Sequence, residues 1–139
     1  MSSFTTKLVV SPMEDGKSWM LQSGFSYYVS EVAPDLIYVY VKIGFVTNFA
    51  STPRIIWWLF PPWGKYGKAA VVHDWLYQKQ VMTVNEYEFK VTRKEADEIF
   101  LEAMLVSKTK KWKAKVIYYA VRMTGWFVWN RYRKQIEKG

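Results

Sequence analysis

Apolar and polar positions divide the chain into a strand-like first third and a helix-like remainder. Residues 5–10, 18–22, 25–30 and 36–43 read as short strands. Phe25-Ser26-Tyr27-Tyr28-Val29-Ser30 and Leu36-Ile37-Tyr38-Val39-Tyr40-Val41 are rich in the aromatic and β-branched side chains that fill a pleated surface. Asp15-Gly16, Ser23-Gly24 and Pro34-Asp35 supply turns between them, so a small antiparallel sheet or meander is predicted. Between residues 44 and 67, Gly44, Pro53, Pro61, Pro62, Gly64 and Gly67 break regular structure. Within that stretch Ile55-Ile56-Trp57-Trp58-Leu59-Phe60 is too apolar for a free loop, and reads as a helical turn or strand packed on the core.

The period then changes. Tyr66, Ala69, Ala70, His73, Leu76 and Tyr77 recur at helical spacing, predicting a helix over about 65–79 with His73 on its buried stripe. Residues 80–91 read either as a β-hairpin or as a loop. Thr92-Arg93-Lys94-Glu95 is a capping box, in which the Thr hydroxyl and the Glu carboxylate each satisfy an orphan backbone N–H, so a second helix starts at Arg93. Its apolar face is Ala96, Ile99, Phe100, Ala103 and Met104, with Asp97 at the margin. A third helix over about 110–135 is expected to bury Trp112, Val116, Tyr119, Ala120, Met123, Trp126 and Phe127. The expected architecture is one α+β domain over residues 1–139: a small N-terminal antiparallel sheet (1–45), a two-helix His/Asp core (64–106) and a basic aromatic terminal helix (108–139).

A length of 139 residues, half of them hydrophobic, can bury a real core, which excludes a disordered chain. Eight tryptophans exceed the needs of such a core, so some should lie at an interface. The absence of cysteine rules out disulfides and thiolate metal sites, and one histidine rules out multi-histidine zinc patterns. The start, Met1-Ser2-Ser3-Phe4-Thr5-Thr6-Lys7, has no apolar h-region, and no ordinary transmembrane helix is predicted; a chain made and kept in a cytoplasm, or associated with a membrane, is expected. The net charge of +8 is concentrated: residues 107–139 hold ten Lys/Arg and one acid, whereas residues 1–106 are almost balanced. A localised charge of this kind implies an anionic partner.

One constellation can carry chemistry. His73 is an imidazole able to act as a base near neutral pH, and a carboxylate on its other nitrogen would fix the useful tautomer. Asp74 projects about 100° around the helix and cannot be that partner, but Asp97 on a neighbouring helix can. Asp74 would then face the loop Trp63-Gly64-Lys65-Tyr66-Gly67, whose carbonyls with one carboxylate suit calcium. The plainer reading is that His73, Asp74, Tyr77 and Asp97 form a buried polar network that fixes helix packing. Asn48, Ser51 and Arg54 are secondary candidates, lining a pocket with Arg54 on an anionic group, or stabilising turns.

The stretch from Gly44-Phe45-Val46-Thr47-Asn48-Phe49-Ala50-Ser51-Thr52-Pro53-Arg54 to His73-Asp74-Trp75-Leu76-Tyr77, continuing through Arg93 to Met104, resembles a family of uncharacterised tailed-phage and prophage proteins, although this chain has Asn48 where that family usually has Asp. More locally, His73-Asp74-x-x-Tyr77 with a later Asp97 is similar to the centre of secreted and viral phospholipases A2. That resemblance implies His73 as base, Asp74 as calcium ligand, and Tyr77 and Asp97 as orienting groups. The short, close loop at Trp63–Gly67 departs from the usual calcium loop of those enzymes.

Three functional classes follow. The leading expectation is a phage-encoded His/Asp hydrolase cleaving esters at a membrane, possible cofactor Ca2+. The alternative is a non-enzymatic virion, tail or host-interaction protein that contacts other phage structural proteins. The third is a nucleic-acid binder. Across residues 108–134, Lys111, Lys113 and Lys115 together with Trp126, Trp129 and Tyr132, which are flanked by cations, fit an anionic membrane surface, and less well phosphates and bases. The sequence defines no oligomeric state.

Overall fold

The computed structural model describes residues 3–4, 8–16, 18–30, 37–48, 52–60 and 66–138. It is an α+β arrangement of two antiparallel sheets and four helices. The larger sheet has five strands: β1 (Ser3–Phe4), β4 (Phe25–Ser30), β5 (Ile37–Val41), β7 (Val81–Val84) and β8 (Tyr87–Lys90), in the order β1-β4-β5-β7-β8. The smaller joins β2 (Val10–Pro12), β3 (Trp19–Leu21) and β6 (Val46–Thr47) in that order. The helices are α1 (Arg54–Leu59), α2 (Gly67–Lys79), α3 (Arg93–Val106) and α4 (Lys111–Lys138).

The expected single N-terminal sheet followed by three helices is therefore corrected on three points. First, a hairpin inserted between α2 and α3 completes the larger sheet: Ile37 pairs with Val84 and Tyr38 with Thr83. Its two-residue turn, Asn85-Glu86, has both residues at positive φ (49° and 72°), the mirror-image turn whose twist matches that of the flanking strands. Second, the early strands fall into two sheets. The strand expected over 5–10 is described only from residue 8, and Val10–Pro12 pairs with β3; residue 36, where the fourth was expected to begin, lies outside the described residues. Third, Arg54–Leu59 is a helix in its own right.

The core is built around α2. Ala69, Ala70, Val71, Val72, Leu76 and Tyr77 are all buried, so the helix is enclosed on more than the single stripe expected of it. It packs on α3 and α4 on one side and on β5 and β6 on the other. Side-chain size allows this: alanine and valine let neighbouring backbones approach closely. Helix α2 ends at Gln80, in the left-handed conformation (φ 57°), whose amide donates to the Trp129 backbone carbonyl of α4 at 3.0 Å. The capping box of α3 forms as expected, Glu95 N–H donating to Thr92 Oγ1 and Thr92 N–H to a Glu95 carboxylate oxygen.

Helix α4 overturns one expectation. The residues it buries are Ala114, Ile117, Val121, Gly125 and Trp129. Of the stripe expected inside, Trp112, Val116, Tyr119, Met123, Trp126 and Phe127 are exposed. The helix carries two apolar faces, and the one with small residues is turned inward because α2 and α3 come close there. Gly125 shows why: a Cβ at this position would meet the Tyr77 hydroxyl well inside van der Waals contact, with the ring carbons Cζ and Cε2 at 3.2 and 3.3 Å.

Gly125→Ala is expected to lose net stability. The gain in helix propensity is about 1 kcal/mol, against about 1–3 kcal/mol for overpacking a rigid contact. Chemical denaturation of the variant checks this. In a Tyr77→Phe background, which removes the atom that is met first, the penalty of Gly125→Ala should shrink.

Candidate functional site

The polar centre of the molecule is Asp97, in the second turn of α3, on the side facing α2 and α4. It has no solvent exposure. One oxygen, Oδ1, accepts from His73 Nε2 at 2.7 Å and from the Tyr77 hydroxyl at 2.7 Å, both on α2. The other, Oδ2, accepts from Arg122 Nη1 of α4 at 2.8 Å and, more loosely, from Arg93 Nη1 at 3.4 Å. Four donors match the four lone-pair directions of a carboxylate. His73 and Tyr77 lie four residues apart and so project from the same face of α2, one turn above the other. Arg93 stands four residues before Asp97 and also donates to the backbone carbonyls of Val121 and Arg122, at 3.3 and 3.2 Å.

Burial alone would raise the Asp97 carboxyl; the hydrogen bonds from His73, Tyr77 and Arg122 outweigh it and hold the group below the usual carboxylate range. Burial, with the Asp97 charge beside it, pushes the Tyr77 hydroxyl far above its ordinary range, so it stays a donor. The bond to Asp97 likewise raises Arg122. The imidazole is enclosed by rings: His73 stacks on Phe100 at 4.2 Å between centroids and lies 4.4 Å from Tyr77. His73 itself is 0 % exposed.

Asp74, also fully buried, points to the smaller sheet. Its Oδ2 accepts from Thr47 Oγ1 at 2.5 Å and from Gln78 Nε2 at 3.3 Å, and Gln78 reaches the Val46 carbonyl of β6 at 3.2 Å. The Tyr132 hydroxyl of α4 is held above its ordinary range by burial and then by the Asp74 charge. The adjacent His73 and Asp74 of α2 thus serve different neighbours: His73 faces α3, and Asp74 faces β6.

The remaining candidates scatter. Arg54 is exposed at the start of α1, and Asn48 follows β6 with partial burial. Ser51 and the loop residues 63–65 lie outside the described residues. Lys111 and Lys115 are exposed on α4, and Lys113 is half-buried with its ammonium over the Phe60 and Trp112 rings. Arg93 and Arg122 were missed as members of the centre. A signal existed: an arginine set in an apolar helix, as Arg122 is, needs a buried anion. For calcium, Asp74 offers one carboxylate already held by two donors, and among the described residues no three His, Asp or Glu groups converge.

Residues 19–121 match the family described as "Protein of unknown function (DUF1353)", and the chain belongs to that family. The chain is also similar to "Uncharacterized protein y4iH" of Sinorhizobium fredii (strain NBRC 101917 / NGR234), at 36 % identity over 81 residues, which are 57 % of this chain and 30 % of that protein. The chain thus spans about a third of the length of that relative. No solved structure matches.

Acid should weaken the Asp97 centre in a defined direction. In the unfolded chain the carboxyl returns to its ordinary value near 4, so on acidification the unfolded state takes up the proton first. The stability owed to Asp97 is complete near neutral pH and falls as the pH drops below about 4. Urea unfolding from pH 7 to pH 3 should show wild type losing more stability than Asp97→Asn over that range.

Proposed function

We propose that this member of the DUF1353 family is a non-enzymatic binding protein, and that His73, Asp97, Tyr77, Arg122 and Arg93 form a polar hub that fixes α2, α3 and α4 in register. The observation that carries the reading is the complete enclosure of the His73 ring, stacked on Phe100 and bonded to a carboxylate whose acceptor sites are all in use. A general base must reach the proton it removes directly or through one water. A helix-fixing network must instead keep water out, since competition from solvent is what weakens a buried charge-assisted bond. The resemblance to tailed-phage and prophage proteins supports a virion, tail or host-interaction setting for such a protein.

A second reading is favoured by a specific piece of geometry. His73 Nε2 and the Tyr77 hydroxyl share one oxygen of Asp97, the orientation that the resemblance to phospholipases A2 implies for an ester hydrolase. On that reading the ring must first be uncovered, and His73 becomes the base that activates water. No step is assigned to a calcium ion.

The two readings separate in one comparison. Wild type and His73→Ala are assayed on phosphatidylcholine and phosphatidylglycerol esters with and without added calcium, while their unfolding is followed. The hub reading expects no turnover above the buffer rate from either protein. It also expects Asp97→Ala, which strips buried His73 and Tyr77 of their acceptor, to cost about 1–3 kcal/mol for each donor left unsatisfied. Ester turnover by wild type that disappears in a folded His73→Ala protein overturns it in favour of the hydrolase.

A further inference from the structure

The outward apolar face of α4 answers to nothing in the fold. Trp112, Val116, Tyr119, Met123, Trp126 and Phe127 are all exposed, Met123 at 76 %. From Trp112 to Trp126 the spacing alternates between four and three residues, and Phe127 stands four after Met123, so they make a seam on one side of the helix. From Trp112 to Phe127 the seam is about 22 Å long at 1.5 Å per residue. A monomer rarely leaves so large a contiguous apolar strip open unless something covers it.

The seam does not end with the helix. At its N-terminal end the Trp112 ring meets Phe60 edge-on at 5.8 Å, and Phe60 closes α1. On α1, Ile55, Trp58 and Leu59 are likewise exposed, Trp58 at 80 %. The ring contact thus sets the end of α1, with these exposed apolar residues, beside the start of the seam.

Charge identifies the occupant. At 100° per residue, Lys113 and Arg131 border one side of the seam, and Lys111, Lys115 and Arg133 border the other. From residue 107 to residue 136 the chain holds no acid. The cation nearest the middle, Arg122, is turned inward to Asp97. The surface therefore has an aromatic-rich apolar centre and cationic margins. A second copy of this chain would bring the same sign of charge to the contact and be repelled. A nucleic acid would need cations within the strip, where there are only apolar side chains. An anionic lipid bilayer satisfies both parts: apolar rings sink to the acyl boundary while lysines meet the headgroups. No helix among the described residues is long and apolar enough to cross a membrane, so the contact is with the surface.

We propose that the exposed face of α4, extended by α1, docks the protein flat onto an anionic membrane surface. This is independent of the reading of His73, since none of these residues belongs to the hub. Tyr119, Met123 and Trp126 are chosen for substitution because they are exposed and lie outside the hub.

The test is flotation with vesicles of phosphatidylcholine containing about a third phosphatidylglycerol, set against pure phosphatidylcholine, with brominated acyl chains as tryptophan quenchers. The intact protein should bind the anionic vesicles at least about tenfold more tightly and lose binding as salt rises, because surface charges are screened within about a nanometre at physiological ionic strength. Brominated chains should quench its fluorescence. Tyr119→Ser/Met123→Ser/Trp126→Ser, folded by circular dichroism, should lose at least about tenfold in binding, and so should Lys111→Glu/Lys115→Glu. The proposal is overturned by any of three results: failure of the intact protein to float, undiminished flotation of the seam variant, or binding without quenching. A DNA mobility shift or a concentration-dependent dimer, in a protein that does not float, assigns the face to a nucleic acid or a second copy instead.

Discussion

A carboxylate with no access to water has to be satisfied by the protein, and Asp97 is that carboxylate. An isolated buried charge costs several kcal/mol even after relaxation. At this position the cost is offset by donors from three helices, which means that the helices can meet in only one way. A sliding of α2 along α3 by one residue removes His73 and Tyr77 together, because both bond the same oxygen. A rotation of α4 withdraws Arg122 and leaves the second oxygen with the 3.4 Å contact to Arg93. Hydrophobic packing alone tolerates such slips far better, being indifferent to direction.

The same constraint explains the shape of the rest. Helix α2 must lie close to α3 for His73 and Tyr77 to reach Asp97, and its alanines and Gly125 of α4 permit the close packing of the three helices. Its opposite side is then free to meet the sheets, where Asp74 accepts from Thr47. Because the face of α4 that carries Ala114 and Gly125 is committed inward, the aromatic residues of its other face point outward. The exposed seam is a consequence of the close inner packing.

Much of this was legible in the sequence, for definite reasons. The capping box marked the start of α3 because Thr92 and Glu95 solve a local problem that does not depend on the rest of the chain. The approach of His73 and Asp97 followed from two helical periods and the polarity of the positions. The hairpin at residues 81–90 was left open because its turn, Asn85-Glu86, lacks the glycine that usually announces such a geometry. The orientation of α4 is not legible from period alone, because its two apolar faces both satisfy a helical period. The close approach at Gly125 decides which one is buried, and periodicity carries no information on it. Arg93 and Arg122 went unnoticed as hub members because their charges read as surface or interruption until a buried anion is placed beside them.

The His-Asp-x-x-Tyr pattern with a distant Asp shows a further limit of motif reading. Four-residue spacing on one helix and an acid on its neighbour are what an orienting dyad requires, and they are also what a packing network requires. The two roles differ only in whether a space opens beside the imidazole. That space is set by a residue the pattern does not mention. Phe100 lies three residues after Asp97 and on the same face of α3, so its ring covers the imidazole that the carboxylate holds. The side chain at position 100, with the Tyr77 ring beside it, therefore helps to separate a centre that meets solvent from one that holds three helices together.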